Sequence, residues 1–293
     1  MKRYLRVAEH VFSIDCCSFE GLSNYSPFEI CSDDGCTPVF ALEVDSDSGR
    51  AFARNEACNL VYRSDTDLAE PRLDLYEDSG NWWVEMAPLQ KMDPVAAMSM
   101  NSDFTFGKLT CPDARFLRFA VDNAAMILFT FRTSTMDTLS MHSSVVMKDG
   151  RAYMFLANSG VGKSTHSRMW LENIPGSELL NDDNPAVRLM TDGSVRVFGT
   201  PWSGKTPCYR NLSAELGAMV RIRRCAENRI TPLNVAEAYA SVLSSSSGFR
   251  PIESMAEGLH STIAAVALRT PCFVLDCRPD AQAAHICYSG VCR

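Results

Sequence analysis

The chain has 293 residues, 46% apolar and 22% charged, with a formal net charge of −7 at pH 7. That length suits two domains or one large one with an appendage. The acidic balance lacks the basic footprint that generic nucleic-acid binding needs, so no nucleic-acid partner is expected. The opening residues carry Arg6, Glu9 and His10 where an export signal needs an unbroken apolar stretch. The longest strongly apolar run, Ala124–Phe131, is far too short to span a bilayer. A cytoplasmic protein with no membrane partner is the expectation.

Residues 1–120 read as a β-rich domain. Short apolar or alternating runs at Val39–Val44, Leu60–Tyr62, Leu73–Tyr76 and Trp82–Met86 are separated by glycine-containing turn clusters at Asp45–Gly49 and Glu77–Asn81. An antiparallel sheet of hairpins is expected there. Trp82 and Trp83 would face opposite sides of a strand, one in the core and one exposed. Asp122 is placed to cap a helix over about 123–135, with Ala125, Leu128 and Phe129 at helical spacing.

Residues 121–293 read as a second domain of mixed α/β character, giving an α+β fold class for the whole. Ser143–Lys148 and Arg151–Ala157 form two strands around a tight turn at Asp149–Gly150. A helix over about 162–171 and a short strand at 178–181 follow. Strands are expected at 187–190, 194–198, 216–222 and 272–275, and helices at about 234–244, 259–268 and 280–287. Ser244–Ser247 reads as a mobile loop.

The chemistry is concentrated in the second domain. The segment Ala157–Ser164, A-N-S-G-V-G-K-S, fits the phosphate-loop pattern in the setting its mechanism requires, between an apolar strand and a helix. Backbone N–H groups of Asn158, Ser159, Gly160, Val161, Gly162, Lys163, Ser164 and Thr165 would line an anion nest at a helix N-terminus. Lys163 would reach the β- and γ-phosphate oxygens, and the Ser164 hydroxyl would hold Mg²⁺. One helix and one strand later comes the pair Asp182–Asp183, in N-D-D-N-P. One carboxylate can bind the metal and the other can take a proton from an attacking hydroxyl. By itself the segment is also good turn chemistry.

Gly199–Lys205, G-T-P-W-S-G-K, is a third candidate. Lys205 would neutralise charge on a transferring phosphoryl group, and Gly199 and Gly204 would let backbone approach a substrate. Arg210 is a weaker candidate of the same type. His142 precedes the hairpin whose far end is Ala157, which should bring it beside the loop. His166, on the first helical turn, reads as a packing or capping residue. Twelve cysteines without any CxxC, in a large chain, read as buried thiols rather than disulfides, and so do Cys272, Cys277 and Cys287 near His285.

A histidine before a hairpin, then S-G-V-G-K-S, then D-D after one helix, resembles the HPr serine kinase/phosphorylase catalytic domain. That domain is itself similar to the nucleotide site of ATP-dependent phosphoenolpyruvate carboxykinase. The resemblance covers about His142–Lys205. It implies a P-loop domain with a mixed sheet and an Mg²⁺·ATP-dependent transferase acting on a serine-type hydroxyl of a protein, peptide or small molecule. It further implies Asp182 as general base, Asp183 and Ser164 on Mg²⁺, His142 assisting near the γ-phosphate, Lys163 as the loop lysine, and a homo-oligomer. Ala157 stands for the first glycine of the pattern, and Thr165 stands where bacterial HPr kinases usually carry Glu. The alternatives are a nucleotide-binding regulatory or interaction module without transfer, and a carboxykinase-like enzyme.

Overall fold

The structure is a computed structural model that describes residues 1–31, 35, 37–46, 58–64, 68, 70–204 and 206–292. Most of the turn expected at Asp45–Gly49 lies outside those residues, as does Lys205. The chain forms two compact units, Met1–Arg132 and Thr133–Arg293. Each is built on a mixed sheet with helices, an α+β fold. Among the described residues no helix is long and apolar enough to cross a membrane.

The first unit holds β1 (Lys2–Val7), β2 (His10–Asp15), β3 (Glu29–Ile30), β4 (Ala41–Asp45), β5 (Asn59–Arg63), β6 (Arg72–Asp78), β7 (Asn81–Ala87), β8 (Ala96–Met100) and β9 (Phe106–Thr110). They form one sheet in the order β3-β1-β2-β4-β9-β8-β7-β6-β5. The run from β5 to β9 is the expected antiparallel meander. The sheet as a whole is mixed, because β4 lies parallel to both β2 and β9. Trp82 and Trp83 are both half-buried, and Trp82 packs on Phe104 with ring centroids 6.0 Å apart.

Helix α1 (Leu117–Thr133) starts earlier than its periodicity suggested. Asp122 therefore sits inside it and caps nothing; its carboxylate accepts from Asn24 Nδ2 at 2.9 Å, and burial raises its pKa. The cap belongs to Asp113, whose side chain accepts from the Arg115 amide in the preceding 3-10 turn. Ala125, Leu128 and Phe129 are fully buried, as their spacing requires.

In the second unit β10 (Thr138–Met141), β11 (Ser143–Lys148) and β12 (Arg151–Leu156) lead into α2 (Lys163–Asn173). Next come β13 (Glu178–Asp183), β14 (Ala186–Leu189), β15 (Val195–Phe198), β16 (Ser213–Arg224) and β17 (Arg229–Pro232). The remainder is α3 (Val235–Leu243), β18 (Ser246–Ser247), α4 (Glu253–Arg269), β19 (Cys272–Cys277) and α5 (Ala281–Val291). The sheet runs β13-β11-β12-β16 from an edge at β13, then β15-β14-β10-β18. Along its free edge the twelve-residue β16 splits its partners: its start pairs antiparallel with β15, and its end pairs parallel with β19.

Strand alternation sends side chains to two cores. Val146, Phe155 and Val220 pack with Trp170 of α2 and Cys287 of α5, while Val145, Met154 and Met219 pack with Val242 of α3 and Ile263 of α4. Burying each large apolar side chain stabilises the unit by roughly 1.5–3 kcal/mol. The β11–β12 turn has Asp149 at φ 51° and Gly150 at φ 77°, the two positive values that a two-residue turn matched to strand twist needs. Ser244–Ser247 is not a free loop. Ser246 and Ser247 pair with Met141 and Ser140 of β10, and the Arg221 guanidinium holds Ser244 and Ser245.

Candidate functional site

The glycine loop joins the end of β12, at the middle of the sheet, to α2. Ala157 is buried, while Asn158, Ser159 and Gly160 are exposed. Gly162 has φ 133°, in the region that disfavours a Cβ, and a Cβ there would meet nothing closer than 4.0 Å. Its glycine is thus required by backbone conformation rather than by space. The first helical bond runs from His166 N to Gly162 O, 2.9 Å. The earlier amides of the turn have no acceptor within the helix, as at any helix start, and the helix dipole adds partial positive charge there. Lys163 is buried, and its Nζ donates to Ala157 O at 3.1 Å. Ser164 is exposed on the first turn.

Two neighbouring strands bring the other candidates to the same sheet end. Ser143 pairs with Leu156 on one side and with Asp183 on the other. His142 is therefore carried to the level of Ala157, and its Nδ1 lies 3.3 Å from Asp183 Oδ1. Asp183 is 33% exposed, whereas Asp182 is 3% exposed. The Asp183 backbone is held at φ 120°, unusual for a residue with a side chain. Enclosure by protein raises the Asp183 pKa; His142 and Lys163 pull it down, and Asp182 adds to the rise.

The G-T-P-W-S-G segment packs directly on this pair. The Asn181 amide, fully buried, donates to Thr200 Oγ1 (3.3 Å) and Trp202 O (3.1 Å), and its oxygen accepts from Asn184 N (3.0 Å). The Thr200 hydroxyl donates to Asn184 O at 2.7 Å, and Gly204 N donates to Asp182 O at 2.7 Å. A Cβ on Gly204 would lie 3.0 Å from Asp183 Cβ. The two motifs thus form one scaffold beneath the carboxylates. Gly199 faces protein rather than an open site, since a Cβ there would lie 2.0 Å from Arg210 O. Arg210 is a strut: it donates to Leu179 O at 2.7 Å and pairs with Glu178. His166 is a core residue. It is 1% exposed, accepts at Nε2 from Trp170 Nε1 (3.2 Å), and burial lowers its pKa to about 4.

One residue with no motif of its own joins the site. Arg224, at the end of β16, donates from Nε to Val161 O at 3.0 Å and from Nη2 to Gly160 O. It grips the carbonyl side of the loop. For a divalent cation, Ser164 Oγ and the Asp183 carboxylate offer hard oxygen donors of the right kind. Among the described residues no group of three or more His, Cys, Asp or Glu could hold a metal. A magnesium ion here would need phosphate oxygens and water to complete its shell, as is usual for that ion. Cys272, Cys277 and Cys287 are buried, with burial pushing Cys272 up to about 12 and Cys277 to about 11, while His285 is exposed. They do not converge.

The class these observations define is an α+β protein with a strand–glycine loop–helix turn flanked by a paired carboxylate. No family model matches the chain, and no curated protein matches it. Among solved structures, the HPr(Ser) kinase/phosphatase from Coxiella burnetii is similar with a TM-score of 0.31 and 8% identity, over 52% of this chain and 95% of that one. A likeness at that level assigns no activity.

Proposed function

We propose that the Thr133–Arg293 unit binds Mg²⁺·ATP at residues 157–165 and transfers a phosphoryl group to a hydroxyl of a protein, peptide or small molecule. The observation that carries this reading is convergence: the loop, Lys163, His142 and both aspartates reach one sheet end through the β12–β11–β13 register. The nucleotide supplies the transferable group and the metal supplies charge neutralisation. Loop amides and Lys163 bind phosphate oxygens. Ser164 and Asp183 hold the metal. Asp182 takes the hydroxyl proton as its oxygen bonds to phosphorus and the bond to the leaving diphosphate breaks. Lys205 is assigned charge neutralisation from its place in the sequence alone.

A second division of labour is favoured by exposure. Asp183, a third exposed and paired with His142, is open to an acceptor, and Asp182 is 3% exposed. In that version Asp183 is the base and Asp182 the metal ligand. Transfer assays on Asp182→Asn and Asp183→Asn across a magnesium series separate the two. The ligand variant needs more magnesium to reach its maximal rate. The base variant loses roughly 10²–10⁴ in rate at any magnesium level. Full activity in both variants removes the aspartates from the transfer step, and binding without turnover in wild type sinks the transferase reading and leaves a nucleotide-binding regulatory module.

A further inference from the structure

A cavity of about 570 Å³ lies in the second unit between α3 and strands β16, β17 and β19. Its walls include neither the glycine loop nor the aspartate pair. Arg221 and Arg223 alternate along β16 to enter it from the sheet, and Arg229 enters from β17. Its volume is that of a small-molecule site.

The charges within it are unevenly matched. Arg223 donates to both Asp276 carboxylate oxygens, at 2.8 and 2.9 Å, and Arg229 lies 3.7 Å from the same carboxylate. Arg221 has only neutral partners: its Nε donates to Ser241 Oγ (2.7 Å), and its Nη2 to Ser241 O, Ser244 Oγ (2.7 Å) and Ser245 Oγ (2.9 Å). Burial lowers its pKa. Glu237 also lines the cavity, and its carboxylate caps α3, accepting from Asn234 N at 2.9 Å. Asp276 is thus shared by Arg223 and Arg229, and Arg221 has no carboxylate partner among the described residues; a guanidinium is the side chain best shaped for bidentate phosphate recognition. Pro232, Leu233 and Val274 add an apolar stretch of wall.

We propose that this cavity binds a small phosphorylated metabolite, its phosphomonoester on Arg221, Arg223 and Arg229 and its carbon skeleton against Pro232, Leu233 and Val274. Occupancy reaches the candidate active site by a short path. Arg221 holds the Ser245 hydroxyl, and Ser245 O accepts the His142 amide at 2.7 Å. That second effect rests on the proposed transferase reading; binding in the cavity does not.

The test is thermal unfolding of the full chain and of Lys163→Ala, titrated with glycerol 3-phosphate, inorganic phosphate or sodium chloride at matched ionic strength. Lys163→Ala weakens the glycine loop as a competing phosphate site. The expected result is a saturable rise in Tm with glycerol 3-phosphate in both proteins, smaller with inorganic phosphate and absent with chloride. Arg221→Met and Arg229→Ala should each weaken it at least tenfold. Arg229 is 74% exposed, so its variant keeps the fold, checked by circular dichroism, even if Arg221→Met does not. No saturable rise overturns the proposal. So does a rise lost in Lys163→Ala yet kept in Arg229→Ala, or one equal for inorganic phosphate and the ester. Loss of Mg²⁺·ATP binding alone would sink the transferase reading and leave this site standing.

Discussion

Asp183 combines a carboxylate at the site with a backbone φ of 120°, a conformation that costs roughly 1–3 kcal/mol for a residue with a Cβ. Asp183→Gly should relieve that strain, raising stability by about 1 kcal/mol after the entropy cost of glycine is counted, while abolishing transfer. Urea midpoints together with a transfer assay check both halves; a less stable variant shows that the strain is not there. His166 gives the opposite case, a residue near the site that serves packing. Its folded pKa, about 4, lies below the ordinary 6.5. The folded chain therefore binds fewer protons in that window, and His166 leaves stability intact above pH 6.5 and erodes it as pH falls toward 4. The loss should reach about 2 kcal/mol by pH 5. His166→Gln should flatten the urea midpoint between pH 6.5 and 5, and an unchanged slope contradicts this account. His166 sits two residues from Ser164, and of its two sequence readings, packing or capping, the structure shows packing: Phe155 and Trp170 close on it, with the Phe155 ring 4.7 Å away.

Among the elements, those around the loop were legible because each carries a local signal. β11, β12 and their Asp149–Gly150 turn follow from alternation and turn chemistry, and α2 from the glycines before it. β8, with the sequence AAMSM, has no β-branched residue, and β9, with FGKLT, has only Thr110 at its end; both become strands through their neighbours. β10 and the two-residue β18 are too short for any period to register. The sequence reading of β16, 216–222, stops short of Ser213–Glu215 at its start and of the charged pair Arg223–Arg224 at its end, where no apolar alternation continues. That end carries Arg224, whose contact with the loop joins residues 63 and 64 positions apart and leaves no trace in local spacing. Arg224→Ala should loosen the loop and weaken Mg²⁺·ATP binding roughly tenfold, about 1.4 kcal/mol, with little change in unfolding midpoint since the side chain is exposed. Equal affinity in a titration of the two proteins removes the clamp from the account.

At the scale of the molecule, the candidate site belongs wholly to the Thr133–Arg293 unit. Its two cores lie on opposite faces of one sheet and draw on that unit alone, so the sheet end that gathers the loop and the carboxylates is rigidly based. The first unit has a sheet and core of its own, and no catalytic constellation stands out in its sequence. The most direct test of the central claim is calorimetric titration of the full chain with Mg²⁺·ATP, in wild type and Lys163→Ala. The account predicts saturable binding in wild type that weakens at least tenfold in the variant, matched by a wild-type stabilisation of about 2.7 kcal/mol at a hundredfold excess over Kd. No binding to wild type, or equal binding to both proteins, contradicts it.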